Sequence, residues 1–195
     1  SEVNITETTT EISPEAFKYC TNLTDINVDK KNTVYSSVDG YLLSQNKKTL
    51  IIFPTGKAND QFTLLPPSIT AIGEYAFYDC KKLKNVTIPN KVTSIGKRAF
   101  GLCDNLNTVT FLCDQMIDPA NIAQGTNQMA FDDGTQQTQN AFGRIHINVR
   151  QDKLAQYKAD EFYKKFASTS PSFTNGTEEY IAVSDKAVNL LSATR

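Results

Sequence analysis

The 195-residue chain has no tryptophan, one histidine and two methionines, and its four cysteines form no Cys-x-x-Cys pair. These scarcities narrow the chemistry. One histidine, His146, is too few for a zinc site of nitrogen and sulfur ligands, and as a general base it would need an orienting partner. The chain lacks a G-x-S-x-G elbow, a Gly-rich phosphate loop and an H-E-x-x-H helix, which leaves acidic residues of the irregular 114–143 stretch as a distant enzymatic reading. The net charge is −1, with basic and acidic residues scattered, which leaves no footprint for nucleic acid and no polybasic membrane patch. No apolar run approaches the ~20 residues of a membrane-spanning helix. No secretion signal is visible, and Ser1 is read as the start of a chain from which such a signal has been removed.

What is present is a repeat. Ile72-Gly73-Glu74-Tyr75-Ala76-Phe77-Tyr78-Asp79-Cys80-Lys81-Lys82-Leu83-Lys84-Asn85-Val86-Thr87-Ile88 returns as Ile95-Gly96-Lys97-Arg98-Ala99-Phe100-Gly101-Leu102-Cys103-Asp104-Asn105-Leu106-Asn107-Thr108-Val109-Thr110-Phe111, at an offset of 23 residues. A fixed period in the twenties marks a solenoid, whose units hide one face by stacking. Ile72, Ala76, Phe77, Cys80 and Leu83 recur three to five residues apart, which predicts one side of a short helix. Beyond Leu83 the rhythm becomes two, with Val86 and Ile88 pointing inward and Asn85 and Thr87 outward, so this half predicts a strand. Pro89 ends it, having no donor for a ladder. A third copy runs from Ile12 through Ala16, Phe17, Cys20 and Leu23 to Val28, with Ser13-Pro14 in place of the glycine step.

This pattern, I-G-x-x-A-F-x-x-C-x-x-L-x-x-V-x-I, resembles the BspA-type leucine-rich repeats. The resemblance implies a right-handed superhelix with a parallel sheet, displayed on the surface of anaerobic bacteria and some protozoan parasites. It also implies adhesion or protein binding rather than catalysis. The expected fold class is therefore an α/β solenoid with one β-meander insertion and a C-terminal capping strand and helix.

Taken in order, residues 1–10 form an extended lead-in whose Val3 and Ile5 cover the first coil, and the first repeat occupies 12–28. Residues 34–66 hold a coil altered by insertion. Tyr35, Ser37, Asp39, Gly40 and Leu42 match a Y-x-S-x-D-G-x-L element that the same family carries, and Asp39-Gly40 is a two-residue hairpin signal. Repeats follow at 72–88 and 95–111, and an irregular last repeat at 114–149. Ala130-Phe131 and Ala141-Phe142 both echo the Ala-Phe step, and the sequence does not choose between them. Residues 144–149 alternate as a last strand, and 151–166 predict an amphipathic cap helix. The domain thus spans 1–167, and 168–195 read as a linker and tail in which Tyr180-Ile181-Ala182-Val183 could form one more strand.

Cys20, Cys80 and Cys103 share one slot and read as buried thiols, with a Cys80–Cys103 bridge as the alternative if adjacent coils approach disulfide distance. Asp132-Asp133-Gly134 lacks the acidic ladder of a calcium loop and reads as a turn. Asn4, Asn22, Asn85 and Asn175 head Asn-x-Thr sequons, but a glycan on Asn85 would obstruct the strand face, which favours a bacterial source.

The remaining candidate is a surface. Asp25, Asn27, Asn85, Thr87, Thr108, Thr110 and His146, with Arg144 and Asn148 beside them, are the outward strand positions and the expected ligand-binding face. Tyr35 and Tyr41 of the meander, with Phe53, are a second candidate surface, against which stands core packing as the expected role of at least two of the three. The expected function is a non-enzymatic cell-surface or secreted recognition module with no cofactor, its partner a protein or glycan of a host or neighbouring cell. The competing expectation is a spacer that carries another domain.

Overall fold

A computed structural model describes residues 1–57, 62–122, 129–131 and 144–167. Along them run β1 (Glu2–Ile5), β2 (Asp25–Val28), β3 (Tyr35–Val38), β4 (Tyr41–Ser44), β5 (Thr49–Ile52), β6 (Phe62–Leu64), β7 (Ala71–Ile72), β8 (Asn85–Ile88), β9 (Ser94–Ile95), β10 (Thr108–Phe111) and β11 (His146–Val149), then two short helices, α1 (Leu154–Ala159) and α2 (Lys164–Ala167). The architecture is a β-solenoid of stacked parallel coils. One side is the parallel sheet β6-β8-β10-β11, and a second is formed by β5, β7 and β9, extended by a bridge from Ile95 to Ile122. Among the described residues no helix is long and apolar enough to cross a membrane.

The strand half of the repeat is as expected; the helical half is not a helix. Residues 73–80 and 96–103 are tight turns in which Tyr75, Asp79, Arg98 and Leu102 take φ of 56°, 62°, 47° and 55°. A helix would turn its amides back on its own segment. Here the amides of Tyr75, Phe77 and Asp79 donate instead to the carbonyls of Lys97, Ala99 and Gly101 on the next coil, at 2.9, 2.7 and 2.8 Å. The apolar spacing therefore records a stack of turns. Gly96 stands where coils come closest, since a Cβ there would lie 2.7 Å from the backbone nitrogen of Glu74.

Within the core, Tyr41, Phe53, Phe77, Phe100 and Phe131 form an aromatic column with successive centroid separations of 5.3, 4.8, 4.8 and 5.0 Å. These steps match the spacing of neighbouring strands, so each coil adds one ring. The column decides the last repeat. Phe131 stacks on Phe100 within 5° of parallel, and the amide of Phe100 donates to the carbonyl of Ala130 at 2.7 Å. Ala130-Phe131 is the true counterpart. Ala141-Phe142, Asp132-Asp133-Gly134 and the 168–195 tail lie outside the described residues.

The meander forms as expected, with Asp39 and Gly40 at φ 51° and 76° in its hairpin turn. It is buried on both faces. Tyr41, Leu43 and Leu50 join the main core, while Tyr35, Leu42 and Ile52 join a second, N-terminal core with Ile5, Leu23 and Ile26. The hairpin also interrupts the sheet. The amide of Ile26 donates to Gly40 O at 2.9 Å and that of Val28 to Ser37 Oγ at 3.0 Å, so the other edge of β2 pairs with the lead-in strand β1. Glu2 sits opposite Asp25, one period away.

Cys80, Cys103 and Cys113 are buried, but Cys20 is exposed and all four are free thiols. The expectation of a buried Cys20 fails because the next coil replaces the long turn with a short 3-10 turn, Thr55–Lys57. That turn meets only the end of the first one, where Thr55 Oγ1 donates to Cys20 O at 2.6 Å and Gly56 N to Leu23 O at 2.8 Å, so Ala16 is exposed and Phe17 only half-buried. The predicted cap helix is broken at Asp160, which leaves the helical region at ψ 131° and accepts the amides of Phe162 and Tyr163 on Oδ1 at 2.8 and 3.3 Å. The break lets Tyr157, Phe162, Tyr163 and Phe166 all turn inward and close the column's end.

Candidate recognition surface

The parallel ladder places Asn85, Thr108 and His146 in one register row across β8, β10 and β11, and Thr87, Thr110 and Asn148 in the row two residues on. The first row is half-exposed along its length. In the second, Thr87 and Thr110 are 2% and 3% exposed, which corrects their reading as free outward side chains. Asn148 Nδ2 reaches Thr110 Oγ1 at 3.5 Å, while the hydroxyl of Thr87 has no hydrogen-bond partner.

Asp25 and Asn27 belong to a separate sheet, because the meander stands between β2 and β6. Asp25 is occupied within the chain. Its carboxylate meets Lys57 Nζ at 3.0 Å, and a hydrogen bond from Thr24 together with the Lys57 ammonium holds its pKa below the usual carboxylate range. Lys57 in turn lies 5.4 Å from the ring centre of Tyr41. Asn27 is exposed, its amide 3.3 Å from Asn4 Oδ1 and 3.4 Å from Glu2 Oε2.

The second candidate surface does not exist. Tyr35 and Tyr41 are both buried, the first with its hydroxyl accepting the amide of Ile12 at 2.9 Å and the second heading the aromatic column. An aromatic patch does occur on the turn side, where the sequence reading did not look. Tyr19 is exposed, Tyr75 and Tyr78 meet edge to face at 5.1 Å, and the ammonium of Lys18 lies 4.6, 5.5 and 6.0 Å from the rings of Tyr78, Tyr19 and Tyr75. Tyrosines at the variable positions of G-x-x-A-F-x-x-C were the available signal. Among the described residues no three potential metal ligands gather.

A family model described as BspA type Leucine rich repeat region matches residues 1–117 and 56–142, in six copies. The chain belongs to the BspA-type leucine-rich repeat family. Several fixed letters of the BspA-type unit have a physical task here: glycine for close coil approach, phenylalanine for the column, the V-x-I strand for the ladder. No curated protein matches the chain. Solved structures that resemble it include the pneumococcal vaccine antigen PcpA, at 16% identity over 82% of this chain and 53% of that one with a TM-score of 0.44. A leucine-rich repeat protein from Eubacterium ventriosum shares 21% over 76% of this chain and 41% of its own, with a TM-score of 0.46. A leucine rich cell surface protein from Faecalibacterium prausnitzii shares 30% over 55% and 28%, with a TM-score of 0.47. The chain spans about half or less of the length of these structures.

Proposed function

We propose that this BspA-type chain is a non-enzymatic recognition module acting outside the cell or at its surface, binding a protein or glycan of a host or neighbouring cell. The observation that carries the reading is the half-exposed row Asn85, Thr108 and His146, which crosses three coils at constant register. Short polar side chains in a flat row suit a broad, shallow contact, with no single residue dominating. A specific protein interface buries about 800 Å² per partner, more than one coil presents, so the contact spans several coils. Thr87 and Thr110 occupy the neighbouring row of the same face and, being buried, take no direct part. Screening the purified chain on glycan and protein arrays, then repeating any hit with Asn85→Arg, Thr108→Arg and His146→Glu, tests the reading. Stepwise loss of binding with unchanged melting supports it. A hit indifferent to all three substitutions defeats the assignment of this row, and arrays without any hit favour the spacer.

A further inference from the structure

Charge is scattered along most of the chain, with one local exception. Lys81, Lys82 and Lys84 stand together at the corner that leads into β8, immediately before Asn85 of the half-exposed row, and all three are exposed. Two coils on, Arg144 is exposed at the corner that leads into β11, just ahead of His146. The coil between them carries exposed Asn105 and Asn107 at the same corner. Backbone bonds keep these corners in step, since Asn107 N donates to Lys84 O at 2.8 Å and His146 N to Asn107 O at 2.6 Å.

The two edges of the strand face use their charges differently. Past the strands, Arg150 lies 3.4 Å from Asp114 and 2.9 Å from Asp152, so that edge neutralises itself. Ahead of the strands, Lys81 is matched by Asp79 at 3.6 Å and Asp104 at 4.0 Å, while Lys82 and Arg144 make no ion pair among the described residues. Positive charge is therefore in excess along the entry edge of the row.

The chemistry of this surface selects among partners. A protein interface is ordinarily built around buried aromatic anchors, and lysine is depleted in it. Among the described residues the exposed large hydrophobics are Tyr19, on the turn side, and Val34, ahead of the meander, so none borders the row. The row offers amides, a hydroxyl and an imidazole, which bond the hydroxyls of a sugar in either sense. The cations beside it pair with carboxylate or sulfate.

We propose that the row and its basic edge bind an anionic glycan, a polysaccharide bearing uronate or sulfate groups. Its anions pair with Lys82, Lys84 and Arg144 while its hydroxyls meet Asn85, Thr108 and His146. This assignment rests on the row proposed above and narrows its partner to one class.

The test titrates the full chain against immobilised dextran sulfate and polygalacturonate, with neutral dextran as the reference. Both anionic polymers should be bound and dextran not, and raising the salt from about 50 to about 500 mM should weaken binding about tenfold or more. Lys82→Gln, Lys84→Gln and Arg144→Gln should each weaken it about twofold to fivefold, the worth of an exposed ion pair. Their melting should not change, because all three side chains are on the surface. Thr108→Tyr, bulky and neutral, should weaken binding as well, so that contact and charge are read apart. No binding to either polymer overturns the proposal, as does binding indifferent to all three charge removals. Tighter binding to poly-glutamate overturns it in favour of an acidic polypeptide. An array hit on a neutral ligand that Thr108→Tyr abolishes keeps the row and overturns the anionic partner. Loss with the glutamine variants but not with Thr108→Tyr removes the row and keeps the anionic glycan at the basic edge.

Discussion

Phe77 lies face to face with Phe100, their ring centroids 4.8 Å apart and their planes within 13° of parallel. The pair forms the middle of the aromatic column, and both residues are buried. Removing one ring breaks contacts on two sides, because Phe77 also stacks on Phe53 at 4.8 Å. Phe77→Ala should therefore cost roughly 3–5 kcal/mol, the range for emptying a buried aromatic site. Denaturant unfolding measures it, and a loss below about 1 kcal/mol would show that the column does not carry the core.

The four cysteines should separate into one fast and three slow thiols, although three of them occupy the same slot of the repeat. Cys20 is exposed. Burial pushes Cys113 up to about 12, and burial next to the Cys103 thiol also raises Cys80. Since the thiolate is the reacting species, Cys80 and Cys113 should alkylate only as the chain unfolds, and Cys103 should follow them because its burial keeps the reagent out. Native labelling with a thiol reagent, followed by mass mapping, checks this. Prompt modification of any of the three would contradict the packing.

The ion pair between Asp25 and Lys57 gives a pH dependence with a definite sign. A carboxyl whose folded pKa lies below its unfolded value stabilises the fold above the unfolded value, ordinarily 3.8, and loses that contribution as the pH falls through the folded one. Asp25→Asn should thus lower the unfolding midpoint slightly at neutral pH and hardly at all near pH 2. Both partners are substantially solvent-accessible, so the effect is small. Equal differences at the two pH values would mean that the pair contributes nothing through charge.

The strand rows were legible because Val86, Ile88, Val109 and Phe111 alternate, and a period of two leaves little choice of face. The turns were misread as helix because Ala76, Phe77 and Cys80 have helical spacing. What distinguishes the two is the destination of their amides on the next coil, which spacing does not encode. The exposure of Cys20 and the second core around Tyr35 went unread for a shared reason. Their burial depends on which coil stacks beside them, and the meander both removes the neighbour of the first turn and walls off a second core. A repeat alignment displays what each coil contains and conceals what a missing piece leaves uncovered.

Thr87 offers the most direct check on the corrected surface. Its side chain is buried and its hydroxyl has no hydrogen-bond partner, while its register neighbour Thr110 is reached by the amide of Asn148. An unsatisfied buried hydroxyl costs about 1–3 kcal/mol of desolvation, and valine fills the same space without that cost. Valine is also at least as good a strand former as threonine. Thr87→Val should therefore raise stability by about 1 kcal/mol, in the lower part of that desolvation range. Thr110→Val should gain less, since it leaves the Asn148 amide without that acceptor. Paired urea titrations of the two variants read the difference. If Thr87→Val is instead destabilised, its hydroxyl has a partner, the second row faces solvent or ligand, and the recognition surface includes Thr87 after all.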